Sequence, residues 1–573
     1  MALLDWIVIG LFVAGLVGII LWVFSQKDET SGDYFLAGRD ASWLAIGASI
    51  FASNIGSEHL IGLAGAGASS GMAMAHWEIQ GWMILILGWV FVPFYSRSMV
   101  TTMPEFLERR YNKESRTILS LISLVSYVLT KVAVTVYAGG IVFKEVFGIQ
   151  SIWGIDFFWI SAIGLVLLTA VYTVIGGMKS VLYTSILQTP ILLLGSVIIL
   201  VLGLKAVGGW HEMLSITSAV KVNNYGDTMT NLIRSNKDPQ YPWLGVFIGS
   251  AVIGFWYWCT DQFIVQRVLS GKNEREARRG AIFGAYLKLT PVFLFLIPGM
   301  IAFALAKKGV IINGHPFTLS SSDAAFPTLV SELLPAGVKG LVVCGILAAL
   351  MSSLASLFNS SAMLFTIDFY KKFRPNASEG KLLSVGRIAT VVIVVLGILW
   401  IPIMRSIGHV LYNYLQDVQS VLAPGIAAAF LLGILSKRPT PKGGMWGMIA
   451  GFVIGVLRLG AKVLYTTVAG DAGYGSNVKE WAAATGVHNW FYYLFYDVNW
   501  LFFCGGMLVF SIFVIIVVSV FTQAAPSAQI AGLTIGSVTP EQRAATRASW
   551  NSWDIVHSAI IIGLTVAFYI YFW

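Results

Sequence analysis

Phe51-Ala-Ser-Asn-Ile-Gly-Ser-Glu-His59 lies inside an otherwise apolar run, about 41–71, and places an amide, hydroxyls, a carboxylate, an imidazole and a glycine there. A polar group at membrane depth costs free energy unless it faces protein or water, and unwound backbone is tolerated there only where it lines a cavity. The stretch therefore reads as a binding site built inside a membrane.

The rest of the chain agrees with that reading. Its 573 residues are 57% hydrophobic and only 11% charged, and the mean hydropathy of +0.77 lies outside the range of soluble globular domains. Apolar runs of about 20 residues recur near 5–24, 41–71, 72–96, 117–143, 153–175, 180–203, 243–268, 280–305, 337–367, 385–404, 408–434, 444–465, 499–522 and 553–573. They predict an all-α integral membrane protein with about 14 transmembrane helices.

No basic residue precedes the first run, which begins Met1-Ala-Leu-Leu-Asp5, so it reads as a retained helix and not a cleavable signal. Basic residues gather in alternate loops, for example Arg97, Arg109, Arg110, Lys113 and Arg116, then Lys272, Arg275, Arg278 and Arg279, then Lys371, Lys372, Arg374 and Lys381. That face carries about twice as many Lys and Arg as the other, which makes it cytoplasmic and puts both termini outside.

Short cytoplasmic loops facing anionic headgroups account for the net charge of +9 without a nucleic acid. Cys259, Cys344 and Cys504 all fall in apolar runs and suggest neither a disulfide framework nor a metal site. The sequon Asn376-Ala-Ser378 falls on the inner face and reads as a chance match. The polar loops near 205–242, 306–336, 466–498 and 523–551 read as connectors, and no obligate protein partner is evident.

Few charges interrupt the runs: Glu58, Glu78, Lys131, Asp261, Lys288 and Asp417. Each marks either a functional site or a pair closed within the bundle. Ala349, Ser352 and Ser353 fall at helical spacings that let one carbonyl and two hydroxyls converge, which suits a monovalent hard cation. Unwound backbone around Ala52 and Ile55 offers further carbonyls. Small residues also let helices approach closely, and the spacing leaves both readings open. The cluster Phe255-Trp-Tyr-Trp258 precedes Asp261-Gln262. Such rings stack on a pyranose or form an interfacial belt, and the neighbouring Asp and Gln favour a cavity. His59, Glu78, Lys288 and Gln416 supply the donors and acceptors that a polyhydroxylated ligand requires.

At these residues the chain resembles the sodium/solute symporters, most closely the sodium/glucose (sodium/galactose) cotransporters. The resemblance runs through nearly the whole length and rests on Asp33-Tyr-Phe-Leu-Ala-Gly38, Ala48-Ser-Ile-Phe-Ala-Ser-Asn-Ile-Gly-Ser57, Trp256-Tyr-Trp-Cys-Thr-Asp-Gln262, Gln266-Arg267, Tyr286-Leu-Lys-Leu289, Ser352-Ser-Leu-Ala-Ser356, Phe358-Asn-Ser360 and Tyr414-Leu-Gln416. It implies a LeuT-like 5+5 inverted-repeat core with one helix before it and three after. The expected organisation is an extra helix and loop over 1–40, repeat one over 41–203, an extracellular loop over 204–242, repeat two over 243–434, and three additional helices over 435–573. The first span of each half carries a Gly-containing polar interruption, which is the sequence pointer to a midplane site.

Residue by residue, the resemblance implies a co-transported Na+ held by Ala52, Ile55, Ala349, Ser352 and Ser353. It implies a sugar site of Asn54, His59, Glu78, Tyr257, Trp258, Lys288 and Gln416, with Tyr257 as an inner gate. His59 and Asn54 follow the animal glucose carriers, whereas Glu58 resembles the bacterial galactose carriers. Ser185 stands where two-sodium members carry an Asp, and Ala355 where they tend to carry Thr, so one Na+ per hexose is expected. Gln419 replaces a small hydroxyl residue near the sugar. The expectation is a non-enzymatic symporter taking up a neutral hexose by alternating access. A carrier of myo-inositol, sialic acid or proline on the same fold and a sugar sensor are the alternatives, and a membrane-embedded enzyme finds no supporting spacing. The loop near 306–336 lacks the cysteines of the animal carriers' ectodomain, which points to a bacterial inner membrane.

Overall fold

The computed structural model describes residues 1–573 except 27–29, 57, 408–410, 475–476 and 488. The side chain of Asp417 also lies outside the described residues, as does Ser57. Among the described residues the chain is a helical bundle, with strands in two short two-stranded hairpins in loops. In chain order the elements that matter here are α1 (Leu3–Ser25), α2 (Trp43–Asn54), α3 (Ala64–Ser69), α4 (Gly71–Ser98), α5 (113–147), α6 (Phe157–Val207), α7 (Trp243–Phe255), α8 (Gln262–Leu269), α9 (Glu274–Lys308), α10 (Val338–Met363), α11 (Glu379–Ile407), α12 (Leu411–Leu435), α13 (Pro441–Ala469), α14 (Trp500–Val520) and α15 (Ser552–Tyr571).

Among the described residues, 11 helices are long and apolar enough to cross a membrane. The expected run 41–71 is instead split between α2 and α3. The run 117–143 lies within α5, which carries Ser120, Ser123, Ser126 and Lys131. The runs 153–175 and 180–203 join as α6, bent where Gly177 adopts φ 48 and ψ −137.

Two features position the site. The first spans of the two halves both break: Ile55 leaves the helix with φ −77 and ψ 108, and Asp261 does so with φ −77 and ψ 126. Around these breaks the backbone widens into π-type turns at Glu58–Leu63, Tyr127–Val132, Trp256–Thr260 and Val292–Leu296, a local geometry that recurs at functional sites.

Close packing sets the distances between helices. A Cβ on Gly280 would meet Ile46 at 2.5 Å and one on Gly284 would meet Ile50 at 3.1 Å, so α2 and α9 cross with backbones nearly touching. That crossing carries Lys288 towards Asn54. On the other side of α2, Ser53 Oγ and Ser356 Oγ lie 2.6 Å apart and tie it to α10.

The basic loops collect at one end of the bundle. The Arg39 guanidinium donates to the carbonyls of Val100 and Leu269, Lys272 pairs with Asp40, and Arg116 pairs with Asp368. Cys259, Cys344 and Cys504 are free and buried.

Candidate binding site at the helix breaks

Four elements deliver a connected set of polar side chains to the break in α2. Lys288 Nζ of α9 donates to Glu78 Oε2 of α4 at 2.6 Å and to Asn54 Oδ1 at 3.1 Å. Asn54 Nδ2 in turn donates to the Tyr257 hydroxyl at 3.1 Å. His59 Nε2 lies 3.1 Å from the same Glu78 oxygen. A carboxylate already paired with an ammonium only accepts, so the imidazole proton sits on Nε2. The Lys288 ammonium also stands 5.3 Å from the Trp258 ring centroid. Glu78 and Lys288 are each 3% exposed, and an ion pair so far from water persists only because each charge is matched and hydrogen-bonded.

These residues line one cavity of about 40 Å³, together with Glu58, Trp77, Gln80, Ile253, Gly254, Gln416 and Gln419. Three of its lining side chains hold buried polar atoms with no partner among the described residues: His59 Nδ1, Trp77 Nε1 and Gln416 Oε1. Buried orphans of this kind cost free energy unless something hydrogen-bonds to them. Their mixed set of one donor and two acceptors matches hydroxyl groups, which both give and take. The volume is close to that of one water molecule, and the larger polar groups bond to each other across it. A ligand must part these groups and replace the bonds it breaks.

All seven substrate residues expected from the sequence thus border one cavity. Trp77 and Gln80 were not expected there. Gln80 Nε2 donates to the Ser250 carbonyl at 2.9 Å, and its amide rests against Gly254. A polar amide inside an apolar run was the available signal for it. Trp77 carried none, because an indole inside a span looks like any other large apolar side chain.

Above the cavity lies a second one of about 240 Å³, lined by Tyr241, Arg458, Lys462, Lys479, Asp497 and Trp500 among others. Gln416 lines both. Trp77 of the inner cavity stacks on Trp500 of the outer one, with centroids 5.6 Å apart and planes 20° from parallel.

Of the expected ion ligands, Ala52 and Ile55 flank the α2 break and Ser353 reaches it, while Ala349 and Ser352 lie within one turn of Ser353 on α10. Among the described residues no backbone N–H donates to the carbonyls of Ala52 or Ile55. Ser353 presses on the break, for a Cβ on Gly56 would lie 3.1 Å from its Oγ. Ser352 Oγ faces Ser185 Oγ at 3.4 Å, and Ala349 is buried one turn earlier on α10. Ala355 is fully buried.

Of the charges that interrupt the apolar runs, Lys131 and Asp261 pair with each other at 2.8 Å. They lie beneath Tyr257, whose ring centroid is 4.7 Å from Lys131 Nζ.

A polar cavity at paired helix breaks, inside an all-α polytopic bundle, defines a secondary membrane transporter. The chain belongs to the sodium:solute symporter family, whose model matches residues 34–451. It is a sodium-coupled multi-pass carrier and not an enzyme. It is similar to sodium/glucose cotransporter 1 of Ovis aries, 38% identical over 91% of this chain and 79% of that one. It is also similar to sodium/myo-inositol cotransporter 2 of Homo sapiens, 39% identical over 80% of this chain and 70% of that one. Among solved structures, a Na+-coupled sialic acid symporter superposes with a TM-score of 0.71 at 21% identity, covering 92% of this chain and 99% of that one. The fold is therefore the LeuT-like fold expected from the sequence.

Proposed function

We propose that this carrier couples the inward movement of one Na+ to the uptake of one neutral hexose. The observation that carries the reading is the connected set Asn54, His59, Glu78, Tyr257 and Lys288 around a cavity where His59 Nδ1, Trp77 Nε1 and Gln416 Oε1 lack partners among the described residues. Sugar hydroxyls replace the internal bonds: Lys288, Asn54 and Trp77 donate, Glu78, His59 and Gln416 accept, Trp258 offers an apolar face, and Tyr257 closes the site from below. An anionic substrate would meet the Glu78 carboxylate, which favours a neutral polyol. The similarity to glucose cotransporters supports the same choice. The myo-inositol relative favours a cyclitol as second reading.

Na+ is held by the carbonyls of Ala52, Ile55 and Ala349 and the hydroxyls of Ser352 and Ser353, bridging the α2 break to α10. Ser185 supplies no anion and Ala355 no hydroxyl for a second ion of the two-sodium kind. The matching breaks at Ile55 and Asp261 support two inverted repeats, 41–203 and 243–434, that rock against each other. The basic end of the bundle is its cytoplasmic end, which leaves both termini outside.

Sodium drives transport only by binding the outward-facing state more tightly than the inward-facing one. One charge crossing about 100 mV releases roughly 2.3 kcal/mol, and a tenfold sodium gradient adds about 1.4 kcal/mol. Together they sustain a sugar gradient of about several hundredfold.

The test is uptake of labelled hexose into sealed proteoliposomes. Uptake that requires external Na+ and is competed by glucose or galactose more strongly than by inositol, sialic acid or proline is expected. Equal uptake with choline in place of Na+ overturns the reading, and stronger competition by inositol selects the cyclitol.

A further inference from the structure

We propose that Asp261 is a switch carboxylate shared in turn by two buried cations, Lys131 when the Tyr257 gate is shut and Arg267 when it opens towards the cytoplasm. The inference rests on the symport reading above and adds a device that reading does not contain.

Asp261 sits at the break between α7 and α8 and is 4% exposed. One carboxylate oxygen accepts from Lys131 Nζ at 2.8 Å. The other accepts from the Tyr127 hydroxyl and from the Phe263 amide at 3.2 Å, so Asp261 also caps the N-terminus of α8. Lys131 is ringed by aromatic faces, with Nζ 4.7 Å from the Tyr257 centroid and 4.6 Å from that of Phe263. The gate ring therefore rests on an ammonium that Asp261 holds in place.

The second cation stands on the same ring. Arg267 is fully buried, and its guanidinium carbon lies 5.4 Å from the Phe263 centroid. Nη1 donates to the Phe263 carbonyl, whereas Nε and Nη2 have no partner among the described residues. Unmatched guanidinium N–H groups at such depth are costly. A structure that retains them gains only if another conformation matches them. Lys131 and Arg267 stand on the same ring, and of the two only Lys131 is bonded to Asp261, so the carboxylate can satisfy one cation fully in each state. When α7 tilts and Tyr257 swings away, Lys131 loses its aromatic cage, and Asp261 passes to the N–H groups of Arg267. Transfer between two charged partners keeps Asp261 paired throughout and lowers the barrier to gate opening.

The experiment compares Lys131→Gln and Arg267→Gln with the wild type in Na+-driven hexose uptake, measuring turnover and external half-saturation separately. Removing Arg267 takes away the partner of the open gate. R267Q should lower turnover about tenfold and leave the external half-saturation unchanged or lower. Removing Lys131 takes away the partner of the shut gate. K131Q should raise the external half-saturation about tenfold and speed efflux of preloaded sugar. Arg267→Lys, which keeps the charge, should restore most of the turnover.

A merely structural role would move both variants the same way, and same-sign shifts overturn the switch. Each variant also stands alone if the other fails to fold, since unchanged turnover in R267Q or unchanged half-saturation in K131Q is sufficient to overturn it. Wild-type vesicles that show no Na+-driven uptake defeat the symport reading instead, which separates the two failures.

Discussion

The Asn54 amide donates to the Tyr257 hydroxyl at 3.1 Å, a bond that joins the two broken helices directly across the cavity. Asn54 is the last helical residue before the break in α2, and Tyr257 sits in the wide turn that precedes the break in α7. A ligand entering between them would have to replace that bond.

Lys288 is the hub of that network, bonded to both Asn54 and Glu78. A hydrogen bond to a charged group contributes about 1.5–3 kcal/mol. Lys288→Ala should therefore weaken apparent sugar affinity about tenfold or more while Na+ remains obligatory. Concentration dependence of uptake checks this, and an unchanged half-saturation would remove Lys288 from the site.

A methyl added at Gly56 would lie 3.1 Å from Ser353 Oγ, so the serine or the break must give by a few tenths of an ångström. Gly56→Ala should push the α2 break away from α10 and raise the Na+ requirement about tenfold, as should Ser353→Ala, with sugar half-saturation at saturating Na+ little changed. Sodium activation curves decide, and a curve identical to wild type for both variants would dismiss these ligands.

Gly254→Ala would place a Cβ 2.5 Å from Gln80 Oε1. The side-chain amide is the movable partner, so the fold should survive while Gln80 loses its bond to Ser250. Ranking among hexoses should change by about tenfold at most, read from a competition panel. Wild-type ranking would show that Gln80 does not face the ligand.

Asp323 lies in the loop ahead of Ala325–Leu333, outside the membrane spans, where burial holds its carboxyl above the ordinary 3.8. An acid whose native value is raised contributes stability below the unfolded value and loses it as pH climbs through the native value. Asp323→Asn should raise the melting temperature of detergent-purified protein at pH 7 by about 1–2 °C, with the gain narrowing as pH falls towards 4. A lower melting temperature at pH 7 would contradict this.

The sequence reveals the site wherever residue type and surroundings conflict. Asn54, His59, Glu78 and Lys288 are legible because a polar or charged group inside an apolar run needs a reason to be there. Lys131 and Asp261 carry the same signal, but only distance shows that they close on each other. Gln80 is an uncharged amide and gives a weaker version of the signal. Trp77 gives none. Helix boundaries follow the same logic: the polar gap around Lys179 reads as a loop, yet the backbone stays helical there and bends at Gly177. Hydropathy registers the dip in apolar character, and only sterics decide whether a dip becomes a turn or a kink.

Trp500, which stacks on Trp77, belongs to a helix beyond the region matched by the family model. The outer cavity is therefore walled in part by residues beyond that region, from Arg458 to Trp500, while every residue lining the inner cavity lies within it. Substitutions at Arg458, Lys462 or Lys479 would alter the approach without replacing any side chain that lines the inner cavity.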